Sequence, residues 1–293
     1  MMKNFQTRDL VMSDIAFETP SGKGAEDENF PVGSFLLPKH LRPHVAIFYD
    51  FARAIDDVAD NPAATAEEKI ERLNSFEAAL IGAPEAPTVP KADLLRESLA
   101  ELGVTPKHGQ DLISAFRQDA VKTRYENWDE LLDYCDRSAA PVGRYLLDIH
   151  EEDPSHYVFS DALCNALQVI NHLQDCADDR RELDRVYLPQ NWMRDAGTSD
   201  ADLDKSALTP GLREVVDRCL DGTEVLLRDA VKLPPVLRSK RLSAESAVIV
   251  RIAQKLTRHL HARDPIATRV ELKKHEFIAC GILGLMGSLL GRY

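Results

Sequence analysis

Two aspartate pairs, Asp56 with Asp60 and Asp175 with Asp179, constrain this chain more than any other feature. They lie in separate helical stretches, RAIDDVAD (53–60) and QVINHLQDCADD (168–179). An i, i+4 spacing puts both carboxylates of a pair on one helix face, one turn apart. Like charges so placed repel by a few tenths of a kcal/mol, so packing alone gives no reason for two such pairs. They make sense on two helices that face each other across Mg²⁺, which takes carboxylate oxygens together with phosphate oxygens. The spacing therefore predicts a site for a diphosphate.

The neighbours extend both sets. Arg53, Asp56 and Asp60 share one face, whereas Asp57 points about 100° away. Asp57 stands between a site role and a solvated or salt-bridged one. In the second stretch Gln168, Asn171, Asp175 and Asp179 form a polar stripe nearly three turns long, flanked by Leu163, Leu167, Val169, Ile170 and Leu173. A stripe of this kind is either a solvated face or a ligand row, and the lack of lysine shifts the balance toward ligands. Arg180, Arg181, Arg185 and Tyr187 follow directly. Arginine suits phosphate because its planar fork meets two oxygens. Arg185 and Tyr187 are preferred over Arg180 and Arg181, which also read as a charged loop balancing the acidic helix.

The rest of the chain predicts one all-α domain. Aromatic residues make up only 6% of the 293 residues and β-branched runs are short, which disfavours sheet. Helical periodicity covers roughly 41–60, 65–80, 91–102, 106–122, 128–151, 156–182, 211–231, 243–262 and 268–289. Thr65 with Glu68 reads as a capping box. Pro141 falls inside 128–151 and predicts a kink there. The stretch 155–188 lacks glycine and proline and predicts one long, stiff helix. Residues 1–27 read as a flexible N-terminal tail ahead of a domain over 28–293.

Composition excludes some functions. A formal net charge of −12 and the lack of a basic stripe argue against nucleic acid as a partner, and the overall balance does not favour an anionic membrane surface. The five cysteines form no CxxC pair, which fits a reduced, cytoplasmic protein. The nine histidines show no zinc spacing. No apolar run reaches the ~20 residues of a spanning helix. The closest, FIACGILGLMGSLL (277–290), reads as a last core helix or as a peripheral membrane contact on the inner face.

Several stretches together resemble the squalene/phytoene synthase family of head-to-head prenyl synthases. They are ENFPVGSFLLPKHLR (28–42), YDFARAIDDVAD (49–60), TRY (123–125), ELLDYCDRSAAPVG (130–143), and 168–189 with its closing RVYLP. The resemblance implies an isoprenoid-synthase-type helical bundle around a central lipid cavity, Mg²⁺ as cofactor, and an allylic lipid diphosphate as substrate. Carried over by position, Asp56, Asp60, Asn171, Asp175 and Asp179 match metal ligands. Arg53, Arg185 and Tyr187 match groups that hold the diphosphate, and Tyr134 matches a tyrosine facing the reacting carbons. Asn29 and Phe30, with Asp57 and Gln168, complete the expected substrate contacts.

The chain also departs from the family pattern. Asn29 and Pro31 replace two usual serines, Ala140 replaces a glycine, Pro141 is added, and Gln174 stands where an arginine is frequent. The combination of 28–38 with 171–189 narrows the resemblance to the branch that ionises presqualene diphosphate and captures the cation with water, without NADPH. That branch belongs to hopanoid biosynthesis, whose other enzymes would be partners. The alternatives are a condensing enzyme making presqualene diphosphate, dehydrosqualene or phytoene, and a non-catalytic assembly factor of the same fold.

Overall fold

The computed structural model describes residues 37–290, except the side chain of Leu289. Asn29, Phe30 and the expected tail over 1–27 lie outside the described residues. The described chain is helical, and its one β-bridge joins Arg124 to Val186 between loops. Thirteen α-helices follow one another, with short 3-10 turns at Pro154–His156 and Asp200–Asp204.

Helix α1 (Arg42–Asp60) buries Val45, Phe48, Phe51, Ala54, Ile55, Val58 and Ala59, an i, i+3, i+4 stripe. It stops at Asn61, ahead of Pro62. In α2 (Ala66–Ile81) the Thr65–Glu68 capping box forms as expected, and Gly82 closes the helix at φ 64°. Together with α3 (Pro90–Leu102) and α4 (Lys107–Asp119), these helices build one apolar core around Phe51, Phe76, Leu95 and Ile113.

The expected kinked helix over 128–151 is instead two helices, α5 (Trp128–Ser138) and α6 (Ala140–Ile149). The break falls at Ala139, at φ −127° and ψ −46°. Pro141 therefore sits in the first turn of α6, where its missing N–H costs nothing. Gly143 lets α6 close on the next helix, because a Cβ there would come within 2.7 Å of Cys164 Sγ.

The expected stiff helix over 155–188 is also divided, into α7 (Tyr157–Gln174) and α8 (Cys176–Leu183). The joint is Asp175 itself, at φ −104° and ψ 7°. The backbone bonds from Asp175 N to Asn171 O (3.0 Å) and from Asp179 N to Asp175 O (2.8 Å) persist across it. The chain bends between those two bonds, where one helix ends and the next begins. The bend has no proline or glycine as its cause, so it was invisible to a breaker count.

Beyond α9 (Gln190–Asp195) come α10 (Pro210–Ala230), the short α11 (Leu233–Val236), α12 (Lys240–Ala262) and α13 (Lys274–Leu290). Helix α7 packs along α10 and α12 along α13, and a second core joins α5, α7, α10 and α12. Helix α13 starts later than the expected residue 268. Asp264 accepts hydrogen bonds from the backbone N–H of Leu208 (2.7 Å) and Ile266 (2.9 Å) and holds the preceding segment as a loop.

Candidate active site

A cavity of about 370 Å³ lies between the two cores, walled by α1, α4 to α8, α11 and α12. One end is charged. Arg53, Asp56 and Asp60 reach it from α1, Asp119 from the end of α4, and Gln168, Asn171, Asp175 and Asp179 from α7 and α8. Arg185 and Tyr187 reach it from the segment after α8. The remainder is mostly apolar, with Phe48, Phe116, Val142, Leu163, Leu167 and Ile249 among its lining. Two aspartate sets 115 or more residues apart in sequence thus open onto one cavity.

Most of the sequence-predicted residues meet there. Asp57 does not line the cavity and instead accepts from Arg53 at 3.3 Å. Arg180 pairs with Asp184, and Arg181 with Asp178, both away from the cavity lining. Both arginines lie in the last turn of helix α8 rather than in the expected charged loop.

Each acidic set is matched by arginine. Arg53 donates to Asp56 at 2.6 Å, and Arg185 donates to Asp60 at 2.6 Å. Arg185 also reaches the carbonyls of Ala59 and Asp119, both at 3.3 Å. Arg269, from the loop before α13, pairs with Asp175 at 3.0 Å. A guanidinium paired with a carboxylate can pair in the same way with the oxygens of a diphosphate.

Behind the charges sits an aromatic group. Tyr187 stacks on His172 with ring centroids 3.5 Å apart, and Tyr125 and Tyr134 lie 5.4 Å and 5.6 Å from Tyr187. The Tyr134 hydroxyl donates to Asp119 at 2.7 Å. Burial, then the Asp119 charge, push the Tyr134 and Tyr187 phenols well above their usual range, so both stay neutral. Burial and the nearby Arg185 charge push His172 down to about 3, which leaves a neutral imidazole. Tyr134, His172 and Tyr187 line the cavity as neutral rings, and neutral aromatic rings suit a passing cation.

Sequence reasoning missed Asp119, His172, Tyr125 and Arg269. Asp119 ends α4 only a few residues before TRY, a weak positional signal. Arg269 is 94 residues from its partner Asp175, so no spacing rule could reach it.

Among the described residues no three His, Cys, Asp or Glu side chains stand together as a ready-made metal cage. The donors nevertheless fit Mg²⁺, which commonly takes one or two carboxylates and fills its shell with water and phosphate oxygens. Asp56 retains 28% side-chain exposure, yet burial in the wall and the Asp60 charge push its carboxyl up to about 8, against Arg53. A mouth that crowds carboxylates to this degree favours added positive charge.

A helical bundle around an apolar cavity with carboxylates and arginines at its mouth defines the isoprenoid-synthase class. Within it, this chain belongs to the squalene/phytoene synthase family, whose model matches residues 24–276. The chain is 42% identical to a hydroxysqualene synthase of Zymomonas mobilis over 271 residues, 92% of this chain and 91% of the relative. It is 43% identical to a hydroxysqualene synthase of Rhodopseudomonas palustris, over 94% of each chain. Among solved structures, a squalene synthase from Alicyclobacillus acidocaldarius superposes with a TM-score of 0.69 at 30% identity, over 80% of this chain and 88% of that one. A dehydrosqualene synthase shares the fold with a TM-score of 0.74 at 19% identity, over 91% of this chain and 93% of that one.

Proposed function

We propose that the protein catalyses the hydroxysqualene synthase reaction, converting presqualene diphosphate and water into hydroxysqualene and diphosphate. One observation carries this reading. Acidic, arginine-matched residues and an apolar wall line one and the same cavity, which suits a molecule with a diphosphate head and hydrocarbon arms. The near full-length identity to two hydroxysqualene synthases supports the choice within the family.

The residues divide the work. Asp56, Asp60, Asn171, Asp175 and Asp179 would hold Mg²⁺, whose contribution is to neutralise charge on the leaving diphosphate. Arg53, Arg185 and Tyr187 bind and orient the diphosphate, the arginines exchanging part of their carboxylate pairing for phosphate oxygens. The carbon–oxygen bond then breaks with its electron pair on the diphosphate. Tyr134, Tyr187 and His172 face the resulting cation as neutral rings while the cyclopropane opens. The apolar wall keeps bulk water away until rearrangement is complete. A water oxygen then adds to the allylic cation and releases one proton. No reductant enters this balance, so NADPH is not required. The same reading carries hopanoid biosynthesis as the setting and a bilayer as neighbour, because substrate and product are lipids.

The test is a product assay by gas chromatography and mass spectrometry. Protein with Mg²⁺ and presqualene diphosphate, without NADPH, should yield hydroxysqualene, while farnesyl diphosphate alone should persist. Consumption of farnesyl diphosphate would move the protein to the condensing branch. Silence in both tubes would point to the non-catalytic reading.

A further inference from the structure

Helix α13 is apolar on both sides. Its inner side packs antiparallel on α12. Glu276 pairs with Lys255 (3.3 Å) and His259 (3.0 Å), Cys280 Sγ lies 3.8 Å from Arg251 O, and a Cβ on Gly284 would come within 2.8 Å of Val248 Cα. Its outer side carries Ile278, Ile282, Leu283, Met286 and Leu290, each between 51% and 65% exposed. Their spacing places them on one face, and no charged residue falls between Glu276 and Leu290. A helix on an ordinary surface turns polar residues outward. A contiguous apolar face of this kind marks a contact with something else. Among the described residues no helix is long and apolar enough to cross a membrane.

The charge around α13 runs opposite to that of the whole chain. Residues 232–290 carry eleven Lys and Arg against four Asp and Glu, in a protein of formal net charge −12. Of the four acids, Glu276 is paired with Lys255 and His259, Asp264 caps the loop, Glu245 lines the cavity, and Glu271 alone is exposed, two residues before Lys273. Exposed Lys273, Lys274 and His275 open α13. The antiparallel register carries exposed Lys240 and Arg241 toward its last turn. The outer apolar face thus has basic residues at both ends. The other side of α12 presents Leu242, Glu245, Ser246 and Ile249 to the cavity. Helix α12 is therefore the wall shared by the cavity and α13.

We propose that α13 docks the protein flat on an anionic lipid surface. Its outer apolar face enters the headgroup–acyl boundary, and Lys240, Arg241, Lys273 and Lys274 meet headgroup phosphates. Charge selects this occupant. A second copy of the chain would bring an equally basic surround against the first, whereas anionic headgroups are attracted to it. The proposed lipid substrate supplies a purpose for the contact, but the contact itself is read without substrate.

The test is co-sedimentation of the full-length protein with vesicles of phosphatidylcholine alone or mixed with phosphatidylglycerol. The protein should bind the mixed vesicles at least ~10-fold more tightly, and added salt should release it. The double variants Ile282→Ser with Met286→Ser, and Lys273→Glu with Lys274→Glu, should each weaken binding ~10-fold or more. Turnover of detergent-dispersed substrate should stay unchanged in both, which separates a failed contact from a failed reaction assignment. Absence of wild-type binding to mixed vesicles would overturn the proposal. So would equal binding to both vesicles, or binding indifferent to the serine substitutions. A dimer that the serines dissolve, without vesicle binding, would make a second copy the occupant and overturn it as well.

Discussion

Asp119 offers a direct measure of how far the cavity mouth is removed from water. Only 5% of the residue is exposed, and burial pushes its carboxyl from 3.8 up to about 7, despite Arg185 and the Tyr134 hydrogen bond pulling the other way. A carboxyl whose folded pKa is raised holds its proton more tightly in the folded state. Its contribution to stability is complete below the unfolded pKa and is lost as pH climbs toward the folded one. Applying the linkage relation to 3.8 and about 7, the loss between pH ~5 and pH ~7.5 comes to roughly 2–3 kcal/mol. Asp119→Asn removes that titration and keeps an oxygen to accept from Tyr134. Urea unfolding of both proteins in EDTA at the two pH values gives the comparison. The variant should gain roughly 2–3 kcal/mol on wild type between the lower and the higher pH. A difference that changes by less than about 0.5 kcal/mol would mean that Asp119 titrates normally, and the argument for a dry mouth would fail.

Other perturbations probe the same site. Asp175→Asn should reduce turnover by ~10²-fold or more with an unchanged circular dichroism spectrum; near-normal turnover would refute the ligand assignment. Tyr134→Phe should leave diphosphate inhibition intact but change the ratio of alcohol to elimination products, and an unaltered ratio would remove the ring's hydroxyl from the mechanism. Gly143→Val drives a side chain into Ser160 and Cys164, so it should cost about 1–3 kcal/mol in urea unfolding, and an unchanged midpoint would show that α6 has room to move away.

Much of the site could be read before any coordinate was known. The i, i+4 rule put Asp56 with Asp60 and Asp175 with Asp179, because neighbours on one helix are set by local backbone geometry alone. The same rule turned Asp57 away from its companions, yet Asp57 also stood among the expected substrate contacts, and the cavity lining does not include it. The capping box at Thr65 and the helical stop before Pro62 were equally local. The two helix divisions were harder. Pro141 follows two residues after the break at Ala139, whereas neither proline nor glycine marks the bend at Asp175.

What only the tertiary structure decided is which faces meet and what water they lose. Arg269 joins Asp175 across 94 residues, and Asp119 joins Tyr134 inside the bundle. The shifted carboxyls of Asp56 and Asp119 have burial as their first cause, and burial is a property of the assembled helices. A net charge of −12 likewise concealed the basic surroundings of α13. Residue order dictates local neighbours through bond geometry, whereas desolvation and long-range pairing exist only once separate helices have been brought together.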